Sequence, residues 1–131
     1  MRAEGVLTGT RFYASEESRG HSEAKRRIVA AKGGETARSR VFDISRGIAW
    51  PEGYTGRVLR NAHLDRWLGH EEELAAKSGE IRREYAAALE VGDFDVAAVI
   101  AGEGSALIHD FPPAGEIVER VLAEAERLMF R

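Results

Sequence analysis

Gly5-Val6-Leu7-Thr8-Gly9-Thr10-Arg11-Phe12 is the stretch on which the reading of this chain turns. Val6 and Leu7 are strand formers, bounded by Gly5 and Gly9. Gly9 permits close backbone approach and unusual dihedrals. Thr10 adds a hydroxyl and an amide donor at the turn. Backbone amides after a strand, beside the start of a short helix, suit a phosphate. The same residues also fit an ordinary strand and turn, because short glycine motifs recur in many unrelated chains. Gly5 follows Met1 by only four residues. A lone strand leaves its backbone groups unpaired, so its partner strands are expected to come from outside this chain.

Working outward, Ser22–Lys32 reads as a helix, with Ser22 as its N-cap. Ala24, Ile28 and Ala31 share one face, and Gly33-Gly34 ends it. Ala37–Ile44 alternates weakly, with Arg38, Arg40, Phe42 and Ile44 on one side, which predicts an extended segment. Arg46–Gly56 is a loop, with its turn at Trp50-Pro51-Glu52-Gly53. Trp50 and Tyr54 are expected to pack it down; lining a ligand site is the alternative.

From Val58 to Val91 the pattern predicts mostly helix, with a break at Gly69. Leu74, Ser78, Ile81, Tyr85 and Leu89 form an amphipathic stripe. Gly79 lies within it and is expected to cost about 1 kcal/mol relative to alanine. Gly92-Asp93 ends the run, and Asp93 or Asp95 can cap a next helix. Val96–Ile100 is apolar on every face, so burial on more than one side is expected. Gly102 and Gly104 interrupt it or admit another backbone. Phe111-Pro112-Pro113 is a stop, and a last helix runs from about Ala114 to Met129. Its inner face is predicted to be Ile117, Val121, Ala125 and Leu128, with Val118 and Leu122 beside them.

The chain of 131 residues is the size of one domain, and 44% hydrophobic residues suffice for a core. A net charge of −3 leaves no nucleic-acid footprint. Lys25-Arg26-Arg27 is a short basic cluster flanked by acids. There are no cysteines, which removes disulfides and thiolate metal sites. No signal peptide and no apolar run of membrane-spanning length is evident, so a cytoplasmic protein and no membrane partner are expected.

The titratable residues nominate no catalytic residue and no metal site. His21, His63, His70 and His109 lie at no recognised metal spacing. His63 and His70 can share a helical face, but His70 with Glu71, Glu72 and Glu73 reads as a solvated helix start. His109-Asp110 can orient a general base but reads better as a polar helix end. Glu116 with Arg120, and Glu80 and Glu84 with Arg83, read as solvated faces. No serine has a strained nucleophile turn around it.

Longer motifs add a resemblance. Gly5 to Ser18, Gly5-Val6-Leu7-Thr8-Gly9-Thr10-Arg11-Phe12-Tyr13-Ala14-Ser15-Glu16-Glu17-Ser18, closely resembles the last barrel strand and turn of the nitronate monooxygenase family, formerly called 2-nitropropane dioxygenases. So do Arg40-Val41-Phe42-Asp43-Ile44-Ser45-Arg46 with Trp50-Pro51, and Tyr54-Thr55-Gly56-Arg57-Val58-Leu59-Arg60-Asn61, to later family segments. Gly92 to Glu103 and Leu107-Ile108-His109-Asp110 resemble its late helix. The first motif is shared with other flavin and nucleotide barrels; the later ones are more specific.

The resemblance implies an α/β fold: the C-terminal part of an FMN-binding TIM barrel, namely its last strand and helix, followed by a mostly helical appendage. The chain itself would be mainly α. It implies three regions: 1–35 as the last βα unit, 36–92 as an irregular segment plus helical insertion, and 93–131 as helices packing back on the barrel. FMN phosphate would be held by Leu7, Thr8, Gly9 and Thr10, where the family commonly has Gln-Met-Gly-Thr. Gly9 and Thr10 match; Leu7 and Thr8 depart, which removes any contact through the usual glutamine but spares backbone contacts. Such phosphate sites lie after the last two barrel strands. The implied reaction is oxidation of alkyl nitronates by O2 to a carbonyl compound and nitrite. The family's catalytic histidine matches none of the four here, so it is expected outside this chain. The implied partners are a nitronate, O2, and either the missing N-terminal part of the barrel or a second copy. The alternatives are a non-catalytic helical interaction module and another flavin-barrel oxidoreductase, such as an enoyl reductase relative.

Overall fold

The computed structural model describes residues 5–129. The first four residues of the predicted 1–35 unit and the last two of 93–131 therefore lie outside the described residues. The chain runs α1 (Thr10–Tyr13), α2 (Ser22–Ala30), β1 (Thr36–Arg38), α3 (Val41–Arg46), β2 (Arg57–Leu59), α4 (Ala62–Trp67), α5 (Glu71–Ala76), α6 (Ser78–Val91), a 3-10 turn (Glu103–Leu107) and α7 (Ala114–Met129). It is mainly α, as expected.

The strand predicted at Val6-Leu7 does not form. Val6 is 76% exposed and Leu7 is fully exposed. Among the described residues no strand pairs with this segment, so its strand-forming side chains gain neither ladder nor burial. The strands that do form lie elsewhere. β1 and β2 pair antiparallel, with Thr36 opposite Leu59, Ala37 opposite Val58 and Arg38 opposite Arg57.

Four further expectations are corrected. Ala37–Ile44 is extended only through Arg38. The Ser39 hydroxyl then accepts from the Val41 amide at 3.0 Å and starts α3, which buries Val41 and Phe42. α3 ends at Gly47, where φ is +70° and the Ile48 amide reaches back to the Asp43 carbonyl at 2.8 Å. Val58 and Leu59, predicted helical, are the buried end of β2. Val96–Ile100 is buried at all but Val96, which is half-buried, and Ile100, but it is not helical. Its end lies along β2: the Leu59 amide donates to the Val99 carbonyl at 2.9 Å, and Ile100 bridges Val58. A short run that is apolar on every face fits a buried strand as well as a helix, and here pairing to β2 decides. Asp93 caps no helix; its carboxylate accepts from the Asp95 amide at 3.0 Å in a local turn.

α2 begins one residue earlier than its predicted cap implies. His21, not Ser22, is the N-cap, its Nδ1 accepting from the Glu23 amide at 3.1 Å. The stripe expected from Leu74 to Leu89 is divided between α5 and α6 at Lys77. Leu74, Ile81 and Tyr85 are buried, but Ala88 replaces Leu89, which is 46% exposed. Gly79 falls in the first turn of α6, so the helix-interior penalty does not apply there.

The core joins these elements through Ile28, Val41, Phe42, Val58, Leu64, Leu74 and Phe94. Lys25 is buried beside it. Its ammonium donates to the carbonyls of Ser15 at 2.6 Å, Ser18 at 2.8 Å and Glu16 at 3.2 Å, spending all three protons on the loop after α1. α7 has the predicted apolar stripe but not the predicted burial. Ile117 is buried, whereas Val118, Val121, Leu122 and Leu128 are 43–65% exposed. No described helix is long and apolar enough to cross a membrane.

Candidate functional site

Gly9 is the N-cap of α1, and the Tyr13 amide closes that turn on its carbonyl at 2.9 Å. The first amides of a helix have no intrahelical acceptor, so those of Thr10, Arg11 and Phe12 are left without one by this geometry. The Thr10 hydroxyl faces the other end of the chain, accepting from the Gly102 amide at 2.9 Å. That bond sets the turn at Glu103–Leu107 beside the start of α1.

Between the two lies an open cavity of about 310 Å³, lined by Thr8, Gly9, Thr10, Arg11, Gly104, Ser105, Leu107 and Ile108. The structure thus brings together three of the four residues nominated from the sequence. Leu7 does not line the cavity and stands in solvent. Ser105 is not among the residues nominated from the sequence. The signal that could have found it is the glycine pair Gly102 and Gly104, whose spacing admits a second backbone.

The cavity suits an anionic, hydrogen-bond-accepting group. A Cβ placed on Gly9 or Gly104 would meet nothing within 4 Å, so both glycines border open space. Three buried side-chain polar atoms among the described residues lack a partner: Arg11 Nε, Ser105 Oγ and Trp67 Nε1. Two of the three belong to residues of this one cavity. A buried unpaired donor costs about 1–3 kcal/mol, so two beside one cavity leave a demand for acceptors there that the described residues do not meet. The rest of the Arg11 guanidinium is committed: Nη1 to Asp110 Oδ1 at 3.0 Å, and Nη2 to the carbonyls of Asp110 at 2.7 Å and Ala14 at 2.8 Å. The site residues are therefore held from both ends of the sequence.

The histidines form no second reactive centre. His63 is buried on α4, with Nε2 2.9 Å from the Ser45 hydroxyl. That hydroxyl donates its one proton to the Val41 carbonyl at 2.9 Å, so Nε2 must carry the hydrogen between the ring and Ser45. Burial pushes the His63 pKa down, countered in part by Glu84. A neutral ring bound to a fully buried serine is core structure, not a nucleophile and its base. Among the described residues no three His, Asp or Glu side chains gather as a metal site.

A separate polar cluster organises the Arg46–Gly56 loop. Asp43, buried on α3, accepts from Trp50 Nε1 at 3.0 Å, from the Thr55 hydroxyl and from the Gly56 amide at 3.4 Å. The expectation that Trp50 and Tyr54 pack the loop down is overturned, since they are 52% and 69% exposed. One atom of the indole is anchored while its ring faces a second, larger cavity.

No protein-family model matches the sequence. A nitronate monooxygenase of Neurospora crassa is 31% identical over 130 residues, which is 96% of this chain and 33% of that protein. Among solved structures, FabK from Thermotoga maritima superposes with a TM-score of 0.72 at 27% identity, covering 92% of this chain and 36% of that one. Its M276A mutant gives 0.61 at 28% identity, covering 92% and 33%. The chain spans about a third of the length of each of these relatives. The likeness first carried by the motifs therefore extends over nearly the whole chain.

Proposed function

As a homologue of a nitronate monooxygenase over nearly its whole length, the chain is, we propose, the FMN-phosphate-binding, C-terminal portion of a flavin-dependent oxidoreductase that oxidises alkyl nitronates with O2. The carrying observation is the cavity between Gly9-Thr10 and Ser105, with its two unpaired buried donors. FMN, when bound, supplies the electron-transfer chemistry. This chain's residues bind and orient: the amides at the start of α1, the Ser105 hydroxyl and Arg11 Nε would hold the phosphate, with Gly9 leaving room for it. Thr10 positions the opposite wall through Gly102. Thr8 would contribute backbone alone, and Leu7, outside the cavity lining, contributes nothing to the grip. The division into 1–35, 36–92 and 93–131 is kept in this proposal; the cavity lining comes from residues 8–11 and 104–108 and includes none from 36–92.

The substrate-binding base and the rest of the barrel would come from outside this chain, since His63 is committed to Ser45 and no other histidine lines the cavity. The exposed Val6-Leu7 segment and the uncovered face of α7 are the surfaces such a partner would cover. A second reading, a different flavin-barrel oxidoreductase, is favoured by the FabK likeness. Its mark would be consumption of a nicotinamide cofactor.

The test has two arms. The purified chain is assayed for bound flavin and for oxidation of propyl-2-nitronate; neither stoichiometric flavin nor turnover is expected. The chain is then fused to the remaining two thirds of the Neurospora protein, where retained FMN, O2 uptake and nitrite release are expected. Turnover by the chain alone would overturn the division of labour. A folded fusion that ignores FMN would overturn the flavin reading.

A further inference from the structure

The larger cavity is bounded by the loop after α3 and the start of α6, and it shares no lining residue with the cavity at Gly9. Its volume is about 630 Å³, within the range of small-molecule sites. Trp50, Tyr54, Arg40 and Arg82 line it together with Ser78 and Glu52.

Two features set it apart from ordinary surface. The first is a fixed but exposed aromatic. Tryptophan contributes to stability mainly through burial, yet Trp50 stands half exposed with its indole nitrogen tied to the buried Asp43 carboxylate. The tie fixes the ring without covering its face, and Tyr54 stands exposed beside it. Rigid exposed aromatics give contact area with little ordering cost on binding. The second is charge. Arg40 and Arg82 make no ion pair and no side-chain hydrogen bond among the described residues, whereas both oxygens of Asp43 are already engaged by Trp50, Thr55 and Gly56. Asp43 and Glu52 in the lining balance the two guanidinium charges, but neither carboxylate pairs with an arginine, so the hydrogen-bond donors of both guanidinium groups are unused.

We propose that this cavity binds a small planar molecule carrying one anionic group, its ring against Trp50 and Tyr54 and its anion on Arg82 and Arg40. An aromatic carboxylate or an aryl phosphate has that chemistry, and a guanidinium fork matches either anion. The proposal is independent of the flavin reading.

Trp50 reports on it directly, because the chain's other tryptophan, Trp67, is buried. The 131-residue chain is titrated with benzoate and phenyl phosphate, following tryptophan fluorescence and calorimetric heat. Inorganic phosphate and benzyl alcohol serve as the anion without a ring and the ring without an anion. Expected are saturable quenching by the two aryl anions, at least about tenfold weaker binding of both controls, and weakening with added salt. R82Q should lower the aryl-anion affinity about tenfold with an unchanged circular dichroism spectrum. W50L should abolish the quenching and lower the calorimetric affinity, while T10A leaves both signals intact. No saturable binding up to about 10 mM would overturn the proposal. So would binding that R82Q and W50L, both folded, leave unchanged.

Discussion

Arg11 and Asp110, 99 positions apart, are joined twice: guanidinium to carboxylate at 3.0 Å and guanidinium to backbone carbonyl at 2.7 Å. The same guanidinium holds the Ala14 carbonyl, so one planar fork fixes the C-terminal end of α1 against the approach to α7. A lysine could keep the charge but not the fork. R11K is expected to destabilise the chain by about 1–3 kcal/mol. Urea unfolding of the two proteins side by side measures it; equal midpoints would mean the clasp contributes nothing.

Acid should weaken the fold through His63. Burial holds its folded-state pKa below the ordinary histidine value of 6.5. Below about pH 6.5 the unfolded chain takes up a proton there that the folded chain refuses, so stability declines as pH falls. Above that pH the ring is neutral in both states and contributes no slope. H63F should flatten the unfolding midpoint between about pH 6.5 and 5 relative to the parent. An unchanged slope in H63F would place the acid sensitivity elsewhere.

Removing the unpaired hydroxyl at the candidate phosphate site should separate FMN from riboflavin. In the fused protein, S105A is expected to weaken FMN about tenfold, the scale of one hydrogen bond to a charged group, and to leave riboflavin unchanged. Equilibrium dialysis of both flavins reads this out. Equal loss for the two would show that Ser105 supports the fold and not the phosphate.

Gly92 ends α6 at φ +74°, and the His21 ring occupies the space where a Cβ would stand. An alanine there must adopt a left-handed backbone and also displace the ring that caps α2 and packs on Phe94. G92A should therefore cost more than about 1 kcal/mol, readable as a lower thermal midpoint. G33A, at a glycine with open space and no positive φ, is the control and should change little.

The uncovered stripe of α7 should make the isolated chain associate. Val118, Val121, Leu122 and Leu128 form a continuous apolar strip on one side of the helix. Light scattering is expected to show concentration-dependent oligomers, and V121K/L128K should return a monomer without lowering the thermal midpoint. A parent chain that stays monomeric at every concentration would count against this.

The elements legible in the sequence were those whose pattern is self-sufficient. α2 and α7 carry a helical stripe with a start signal, and each forms within two residues of its predicted place, while α6 ends where Gly92 was expected to stop it. Two of the misreadings share one cause: their outcome depends on a distant neighbour. Val58-Leu59 becomes strand because Ala37 and Ile100 lie beside it, and Val6-Leu7 fails as strand because nothing described does. Local pattern cannot report either fact. At the candidate site, Gly9 and Thr10 were legible from turn chemistry. Ser105 was not, because its relevance arises only when Gly102 docks on Thr10 across most of the chain.

The Glu17 carboxylate caps the first turn of α7 by accepting from the Ala114 amide at 2.8 Å, and that bond holds its pKa below the usual carboxylate range. Together with the Arg11 clasp it ties residues 11–17 to residues 110–114. During synthesis Arg11 and Glu17 are made long before residue 114 exists. At about 5–20 residues per second, Arg11 and Glu17 wait several seconds or more for their partners. Through that interval the segment around α1 has neither anchor and is held only by nearer contacts such as those of Lys25.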